Sequence, residues 1–198
     1  MSKSQPQWLD EFLKQPSSEY FVKIDKGYLT DAFNTWGLKD KVAHFAEAWA
    51  LISKGTYKKN LSKEIIEQQA MILYGMIHQR YLQTDTGIDA MHKKYKSGKF
   101  AKCPRVYCKM ATCLPFGVSD MPGEHTMMLF CPVCNDVYCM KDPTFANVDG
   151  AYFGPTYVHM YLQQYRITAK HPKHFVPSIF GFKICDESEV HVNEDQSN

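Results

Sequence analysis

The chain has 198 residues, a formal net charge of +2, 44% hydrophobic residues and 22% charged residues, which is ordinary for a folded soluble protein. No apolar run approaches the roughly 20 residues that span a bilayer, and the first residues lack the apolar stretch of a secretory signal. We therefore expect a cytoplasmic or nuclear protein, in which paired cysteines stay reduced and favour a metal over a disulfide.

The first 100 residues carry helical periodicity in several short segments. Apolar side chains recur at helical spacing in segments 8–15, 28–35, 39–53, 62–81 and 88–95. The clearest of these helices has Ser62 as its predicted N-cap and one wide apolar stripe through Ile66, Leu73 and Ile77. We therefore predict an all-helical domain over residues 1–100.

The character of the sequence changes after residue 100. Proline, glycine, cysteine and short β-branched or aromatic runs replace helical periodicity, and the segments RVYC, TMMLFC and DVYC are typical of short strands. The sequence thus predicts an α+β fold, with a helical domain over 1–100, a four-cysteine zinc-ribbon β module over 101–160, and an extended C-terminal segment with an acidic tail over 161–198. The residues alone leave open whether the helical and β parts pack as one unit.

Four of the seven cysteines form two close pairs, Cys103 with Cys108 and Cys131 with Cys134. Each pair lets one tight turn present two thiolates to the same ion, and two such turns complete a tetrahedron. Four thiolates leave no open position for water, so we predict one structural Zn2+ per chain, bound by these cysteines. His125 lies between the pairs, and a ligand role for it is unnecessary once four thiolates fill the site.

Other uses of the cysteines remain open at this point. The CPVC motif at 131–134 also occurs as a redox-active pair, but that use needs an activated thiolate at the start of a helix, and the flanking residues here are strand-like. Cys113, Cys139 and Cys185 lie outside the two pairs. We expect Cys113 and Cys139 to be buried free thiols, with a role as alternative ligand as the second interpretation.

The predicted module carries more apolar residues than a small module can bury. They are Pro104, Val106, Tyr107, Leu114, Val137 and Tyr138. An apolar face left over on a rigid ribbon is typical of a self-association surface, so these residues are candidates for a dimer interface. The alternative is that the helical domain covers this face, and the residues alone do not separate the two.

Charge is unevenly distributed along the chain. Residues 93–109 contain seven basic residues and no acid, whereas residues 185–198 contain five acids and no lysine or arginine. A basic stretch of this kind binds nucleic acid or an acidic protein surface, or forms a solvated helix face. A zinc-ribbon nucleic-acid-binding protein is therefore one alternative function.

No catalytic motif accompanies the cysteines. The sequence lacks the glycine-rich phosphate-binding motifs, and the segment DGAYFG at 149–154 has no kinase catalytic-loop partner. The segment GEHTM at 123–127 lacks the second histidine of a zinc protease. The residues alone therefore predict a zinc-stabilised binding or assembly protein and not an enzyme.

The order of several motifs resembles the regulatory beta subunit of casein kinase II. The resemblance runs from about residue 8 to residue 183. It rests on AMILYGMIHQRY at 70–81, KFAKCPRVYC at 99–108, LPFGVSDMPGE at 114–124, LFCPVCNDVY at 129–138, DGAYFGPTYVHM at 149–160 and FVPSIFGFKI at 175–184. The resemblance implies a non-catalytic subunit that dimerises through its zinc ribbon and carries two catalytic alpha subunits per dimer. Such a subunit stabilises the kinase and modulates its activity and choice of substrates.

The resemblance also implies roles for individual residues. The four paired cysteines correspond to the zinc ligands, and the apolar residues of the module correspond to its dimer-forming part. Phe180 and Phe182, on either side of Gly181, are similar to the aromatic hook that docks on the catalytic subunit. Two aromatic anchors around a flexible turn concentrate binding energy in a small contact. The alternative is that these rings belong to the core of a last strand.

The chain departs from the family pattern in three places. Segment 53–64 carries four lysines and one glutamate where the family has an acidic loop, the serines near the N-terminus lack following acids, and the acidic C-terminal tail is short. The resemblance therefore implies a divergent regulatory subunit. A further alternative is a decoy dimer that no longer binds the kinase productively.

Overall fold

Short helices make up most of the first half of the chain in the computed structural model, which describes residues 7–57, 62–168 and 176–184. The α-helices of these ranges are α1 (Gln7–Phe12), α2 (Lys26–Thr30), α3 (Phe45–Lys54), α4 (Lys63–Tyr81), α5 (Asp85–Lys96) and α6 (Tyr157–Gln164). Single turns of 3-10 helix lie at Pro16–Ser18, Ala32–Thr35, Val106–Cys108, Pro143–Phe145 and Gly150–Tyr152. Within the described ranges, no helix combines the length and apolar character that a membrane span requires.

Helix α4 is the centre of the helical part. As predicted, Ser62 caps its N-terminus, and the Ser62 hydroxyl accepts the N–H of Ile65 at 3.4 Å. The predicted apolar stripe is buried, and burial continues through every residue from 73 to 78, so the second half of the helix is covered on all sides. Gly75 permits this covering, because a Cβ there would lie 2.2 Å from the ring of Tyr152.

Two predicted helices are shorter than their periodicity suggests. In place of one helix over 28–35, α2 ends early and Asp31 takes an extended backbone, with φ −74° and ψ 121°. The Asp31 carboxylate then accepts the N–H of Phe33 at 2.9 Å and starts a separate 3-10 turn. Helix α3 begins only after His44, whose backbone is left-handed with φ 53°. At Asp31, capping by the side chain competes with helix continuation and prevails, whereas the left-handed backbone at His44 marks the start of α3 without a side-chain cap.

In the part of the chain that the structure describes, the strands form two small antiparallel sheets. The first contains, in spatial order, β1 (Leu114–Phe116), β2 (Met128–Cys131) and β3 (Asp136–Cys139). The second is a hairpin of β4 (Ser178–Ile179) and β5 (Phe182–Lys183). The segments TMMLFC and DVYC thus contain strands, as predicted. Helix and sheet together agree with the mixed composition of the predicted α+β fold, while the domain limits at residues 100 and 160 stay predictions.

One continuous cluster of buried apolar side chains joins the helical part to the β part. Tyr20, which follows α1, stacks on Phe100 with ring centroids 4.8 Å apart and meets the edge of Phe145 at 4.7 Å. His78 of α4 is fully buried, and its Nδ1 lies 2.8 Å from the carbonyl oxygen of Tyr152. The two parts therefore share a core, which the sequence left open.

Candidate metal centre and interaction surfaces

The four paired cysteines come together just beyond the end of strand β2. The Sγ atoms of Cys103, Cys108, Cys131 and Cys134 lie within 4.8 Å of one another, and all four residues are buried. The sulfurs of Cys103 and Cys134 are 3.9 Å apart. A tetrahedron with Zn–S bonds of about 2.3 Å has edges of about 3.8 Å between its sulfurs. The spacing and the donor set therefore fit a tetrahedral thiolate site for zinc.

The first cysteine pair lies on a tight turn, and the strand predicted for RVYC was wrong. The Cys103 N–H donates to the Ala111 carbonyl at 2.7 Å, and the Cys108 N–H donates to the Arg105 carbonyl at 3.0 Å. Between them, Val106–Cys108 forms a 3-10 turn. An extended strand would point residues five positions apart to opposite faces. The turn instead directs both sulfurs to one point.

The second cysteine pair lies on the turn between β2 and β3. Cys131 is the last residue of β2, and the Asn135 N–H donates to the Cys131 carbonyl at 2.9 Å. Asn135 has a left-handed backbone with φ 59°, which lets the chain reverse immediately after Cys134. The pKa of the Cys131 thiol is lowered, first by a hydrogen bond with Cys113 and then by the backbone N–H groups of Cys134 and Val133. Local hydrogen bonds thus favour the thiolate form of Cys131.

Burial acts against the ionisation of other thiols in the cluster. It raises the pKa of Cys103 and of Cys108 above the usual range for cysteine. The Tyr138 hydroxyl lies 3.2 Å from the Cys134 sulfur and is placed to donate to it. Four thiolates at these distances repel one another, so the fully ionised set needs a bound cation to become stable. The cluster therefore has the chemistry of a metal site.

The residues predicted for the dimer interface are mostly exposed around the first cysteine pair. Val106 is 85% exposed, Tyr107 44% and Val137 38%. Pro104 is also exposed, and Tyr138 is half-buried. Within the described residues, the helical part therefore does not cover this face. We call these five residues the ribbon face.

Leu114 is the exception among the predicted interface residues. It is fully buried, and it lies opposite Phe130 in the sheet. Its side chain supports the module from inside and adds no surface for a partner. Met110, in contrast, is 68% exposed just after the first cysteine pair and was not among the predicted interface residues. The only sign of this exposure in the sequence was its position on a turn, where apolar side chains cannot all point inward.

The predicted docking residues lie on the turn of the β4–β5 hairpin. Phe180 is 98% exposed and Phe182 is 79% exposed, so within the described residues they are not core aromatics. Phe180 and Gly181 both have a left-handed backbone, with φ 50° and 87°. That conformation costs a bulky residue about 1–2 kcal/mol. A two-residue turn of type I′ between antiparallel strands requires this geometry at both positions, and the turn leaves both rings in water.

The other candidate ligands and free cysteines lie outside the cluster. Cys113 is fully buried, as expected, whereas Cys139 at the end of edge strand β3 is exposed, so the expectation of a buried thiol was wrong there. Alternating side chains on an edge strand point away from the core, which explains this exposure. His125 is exposed and is not part of the cluster. Cys185 lies outside the described residues.

The basic stretch over 93–109 runs from the end of α5 into the first cysteine turn. The Lys94 ammonium donates to the Phe21 carbonyl oxygen, and burial lowers the pKa of Lys94 to about 8. Arg105 forms an ion pair with Asp136 at 3.2 Å. The other basic residues are exposed: Lys93, Lys96, Lys99, Lys102 and Lys109. Lys102, although exposed, donates to the Thr112 hydroxyl at 2.7 Å, so three of the seven basic residues form contacts within the chain.

Parts of the unusual segments lie outside the described residues. This applies to the serines near the N-terminus, to residues 58–61 of the Lys-rich segment and to the acidic tail over 185–198.

Comparison with known proteins places residues 7–183 in the family described as "Casein kinase II regulatory subunit". The chain is 39% identical over 184 residues to "Putative casein kinase II subunit beta-4" of Arabidopsis thaliana, covering 89% of this chain and 65% of that protein. It is 39% identical over 182 residues to "Casein kinase II subunit beta" of Dictyostelium discoideum, covering 89% of this chain and 68% of that protein. It is 39% identical over 191 residues to "Casein kinase II subunit beta-2" of Schizosaccharomyces pombe, covering 92% of this chain and 75% of that protein. The chain thus spans about two thirds to three quarters of the length of these relatives.

Proposed function

The chain belongs to the casein kinase II regulatory subunit family, and we propose that it is a divergent, non-catalytic regulatory subunit of that Ser/Thr protein kinase. The observation that carries the proposal is that the family match includes both the four-cysteine centre and the exposed aromatic hairpin. The subunit would dimerise through the module that contains the four-cysteine centre, and it would bind catalytic alpha subunits with the aromatic hairpin. It would stabilise the kinase and change its activity and choice of substrates.

The first part of the proposal is one structural Zn2+ per chain, bound by Cys103, Cys108, Cys131 and Cys134. Four buried sulfurs at tetrahedral spacing support zinc, which prefers this donor set and geometry. A four-thiolate shell has no open position, so the ion would hold two turns together and would not activate a substrate. The strands of the first sheet are three or four residues long, which makes the module dependent on such a link.

The second part is a homodimer formed through the ribbon face. Val106 and Tyr107 lie on the 3-10 turn that carries Cys108, so the metal would fix the backbone that presents them. Exposed valine, tyrosine and proline side chains close together are typical of an interface that a second copy covers. Two copies would pair the same face with itself, which gives a closed dimer.

The third part is docking of the catalytic alpha subunit on the β4–β5 hairpin, with two alpha subunits per dimer. Phe180, Gly181 and Phe182 are the docking residues. Both rings are accessible and would gain most of their binding energy from burial in a partner pocket. A positive-φ turn fixes the hairpin before binding, which lowers the entropy cost of association.

The reduced thiols of the four-cysteine centre also indicate the cellular compartment in which we expect the protein. Four reduced thiols ready for metal suit the cytoplasm or nucleus, where disulfides are rare. The remaining expected partners are the protein substrates that the kinase reaches through this subunit. Nucleic acid is the less favoured partner, because Lys94 and Arg105 are used in contacts within the chain.

The proposal is tested by light scattering on the purified chain, alone and mixed with a casein kinase II catalytic alpha subunit, with zinc measured on the same samples. We expect a dimer with one zinc per chain that takes up two alpha subunits. The variant Phe180→Ala with Phe182→Ala should stay a zinc-loaded dimer and lose the alpha subunits. The matched control is Phe33→Ala, which removes a ring that is 83% exposed on a 3-10 turn remote in sequence from the hairpin.

Two outcomes would replace the proposal. A zinc-loaded dimer that ignores the alpha subunit would mean that the chain is a decoy. Binding of DNA or RNA whose affinity falls steeply with salt, together with no uptake of the alpha subunit, would favour the zinc-ribbon nucleic-acid-binding protein. Kinase uptake that Phe33→Ala weakens as much as the double variant would remove the hairpin as the docking site.

A further inference from the structure

An apolar groove lies beside the end of strand β3, and we call it the β3 groove. Its volume is about 170 Å³. Its apolar lining consists of Ala101, Pro104, Leu129, Tyr138 and Met140. Leu129 and Tyr138 are paired in the β2–β3 ladder, so their side chains lie on the same face of the sheet. The groove therefore has one wall on the sheet and one on the segment that leads into the first cysteine pair.

Strand β3 lies at one edge of its sheet. The spatial order is β1, β2, β3, and the described residues place no strand on the outer side of β3. Cys139, its last residue, is exposed and also lines the groove. The backbone of an edge strand presents N–H and C=O groups to which an extended segment can add as a further strand. The β3 groove thus offers apolar side chains and a strand edge to the same occupant.

Two lysines border the β3 groove. Lys141 is exposed, and Lys102 is exposed with its ammonium donating to the Thr112 hydroxyl at 2.7 Å. Asp142 is the one acid of the lining, and its carboxylate accepts the N–H of Thr144 at 2.9 Å. The groove therefore carries positive charge at its border and favours an occupant that combines apolar side chains with acids.

The sequence of the acidic tail has this combination. Val190 and Val192 alternate with His191, and Asp186 and Glu194 fall on the same alternate positions as the valines. In an extended segment, residues two apart point to one side, so the two valines share a face that has an acid towards each end. Valine, which is β-branched, also favours the strand conformation. The tail thus matches the groove in both apolar character and charge.

The chain is long enough to bring its own tail to the groove. Helix α6 packs beside the same sheet, with the rings of His159 and Phe130 6.2 Å apart. Residues 165–177 connect α6 to the hairpin, the two strands of the hairpin pair with each other, and residue 184 leads into the tail. Since an extended chain covers about 3.3 Å per residue, this connection spans up to about 40 Å. The path from the end of α6 to β3 is shorter, because it consists of one helix length of roughly 12 Å, the ring contact and one strand spacing of roughly 4.8 Å.

We propose that residues 188–194 of the acidic tail dock in the β3 groove of their own chain, as an extended segment beside β3. Val190 and Val192 contact the apolar lining, and the acids of the tail approach Lys102 and Lys141. An occupant from the same chain needs no second molecule and has a high effective concentration at the groove. The inference depends neither on the metal nor on the kinase, and it gives the tail a role that the proposed function does not.

The docked tail would border the ribbon face without replacing it. Pro104 and Tyr138 belong to both surfaces, whereas Val106, Tyr107 and Val137 are not part of the groove lining. The tail would therefore cover one margin of the ribbon face and leave its most exposed side chain, that of Val106, to a second copy.

The test compares hydrogen exchange of the tail in the full chain and in matched variants. Val190→Ser with Val192→Ser removes the apolar face, and His191→Ser places the same residue on the opposite face. Exchange is measured by mass spectrometry, as protection relative to a synthetic peptide of residues 185–198 with the same substitutions. We expect about tenfold protection in the parent chain and in His191→Ser, and none in the double variant.

Cys139 reports whether the protected tail lies in the groove. Its alkylation by iodoacetamide is followed in the peptide that contains it, and zinc content and thermal unfolding check that each variant is folded. We expect Cys139 to react about tenfold faster in the double serine variant, and in a chain that ends at residue 184, than in the parent chain. The rate in His191→Ser should equal that of the parent chain.

The contribution of charge is tested on the groove itself. Lys141→Glu should lower the protection of the tail about two- to fivefold, because it replaces an attraction with a repulsion. Lys93→Glu is the matched control, since Lys93 is exposed on α5 and is not part of the groove lining. Equal loss of protection in the two variants would reject the pairing of the tail with this groove.

Three further results would overturn the proposal. The first is a tail that exchanges like the free peptide in the parent chain. The second is a protected tail whose release leaves the alkylation rate of Cys139 unchanged, which would place it on another surface. The third is protection that disappears on dilution below the dimer Kd, which would assign the tail to the groove of a second copy.

Discussion

His78 is held as a neutral imidazole by two hydrogen bonds of opposite sense. Its Nδ1 lies 2.8 Å from the Tyr152 carbonyl oxygen, which can only accept, so Nδ1 carries the proton. Its Nε2 is 3.0 Å from the backbone N–H of Val22 and must accept. A second proton on Nε2 would face that N–H group in a fully buried site. The residue therefore links three parts of the chain only while it is uncharged.

This arrangement predicts a loss of stability in mild acid. Burial lowers the pKa of His78 from 6.5 to about 4, so below pH 6.5 the unfolded chain takes up a proton that the folded chain does not. Stability is complete above pH 6.5 and falls as the pH drops towards 4. Between pH 7.5 and pH 4.5 the expected loss from this residue is about 2–3 kcal/mol. This loss of stability is measured from the free energy of unfolding in urea at a series of pH values.

A non-titrating variant isolates this effect from acid release of metal. His78→Gln keeps one donor and one acceptor, so it should be less stable than the parent chain at pH 7.5 but should lose less stability on acidification. Metal release affects both proteins, and the difference between their pH curves belongs to His78. Parallel curves from pH 7.5 to 4.5 would show that His78 does not titrate in this range on unfolding.

In the proposed function, the β module depends on the turn that carries the first cysteine pair and would hold the metal. Cys108→Ser should lose zinc and, with it, the dimer, because metal binding supplies the folding free energy of a module with short strands. Cys139→Ser is the matched control, since Cys139 is an exposed cysteine of the same module outside the cluster. Zinc content and mass by light scattering check both variants. A metal-free Cys108→Ser chain that is still a dimer would show that the ribbon face does not need the ion.

The same elements show which parts of the fold can be predicted from sequence. Helix α4 was predicted closely because its signals are local: a capping serine and an apolar stripe over 19 residues. The RVYC strand was wrong because valine and tyrosine favour strands locally, while the partner of Cys108 is a distant cysteine pair. The meeting of the four paired cysteines at one point was predictable from their spacing alone.

At the scale of the whole molecule, the described chain presents the ribbon face beside the shared core and an exposed hairpin that contributes no residue to that core. The ribbon face lies around the first cysteine turn, and the hairpin with Phe180 lies at the end of the described chain. Sequence patterns predicted both sets of residues, but the patterns did not decide whether those side chains were buried or exposed. In a chain of this size, exposure depends on how the helical part packs on the sheet, and no local pattern carries that information. Because the ribbon face and the hairpin share no residue, substitutions can test dimer formation and kinase docking independently.

Dimer formation should fail when a charge is placed on the ribbon face, without loss of the metal. Val106 is 85% exposed, so Val106→Asp is harmless to the single chain, but it would bury an unpaired carboxylate in the proposed dimer. A penalty of about 2 kcal/mol or more corresponds to a dimer Kd about 30-fold higher. Val118→Asp is the control, since Val118 is 48% exposed outside the ribbon face and should leave the Kd unchanged. Analytical ultracentrifugation with zinc analysis measures the dimer Kd and the metal content of both variants. A zinc-loaded monomer of Val106→Asp would support the ribbon face as the dimer interface. An unaltered dimer would show that the interface lies on another surface.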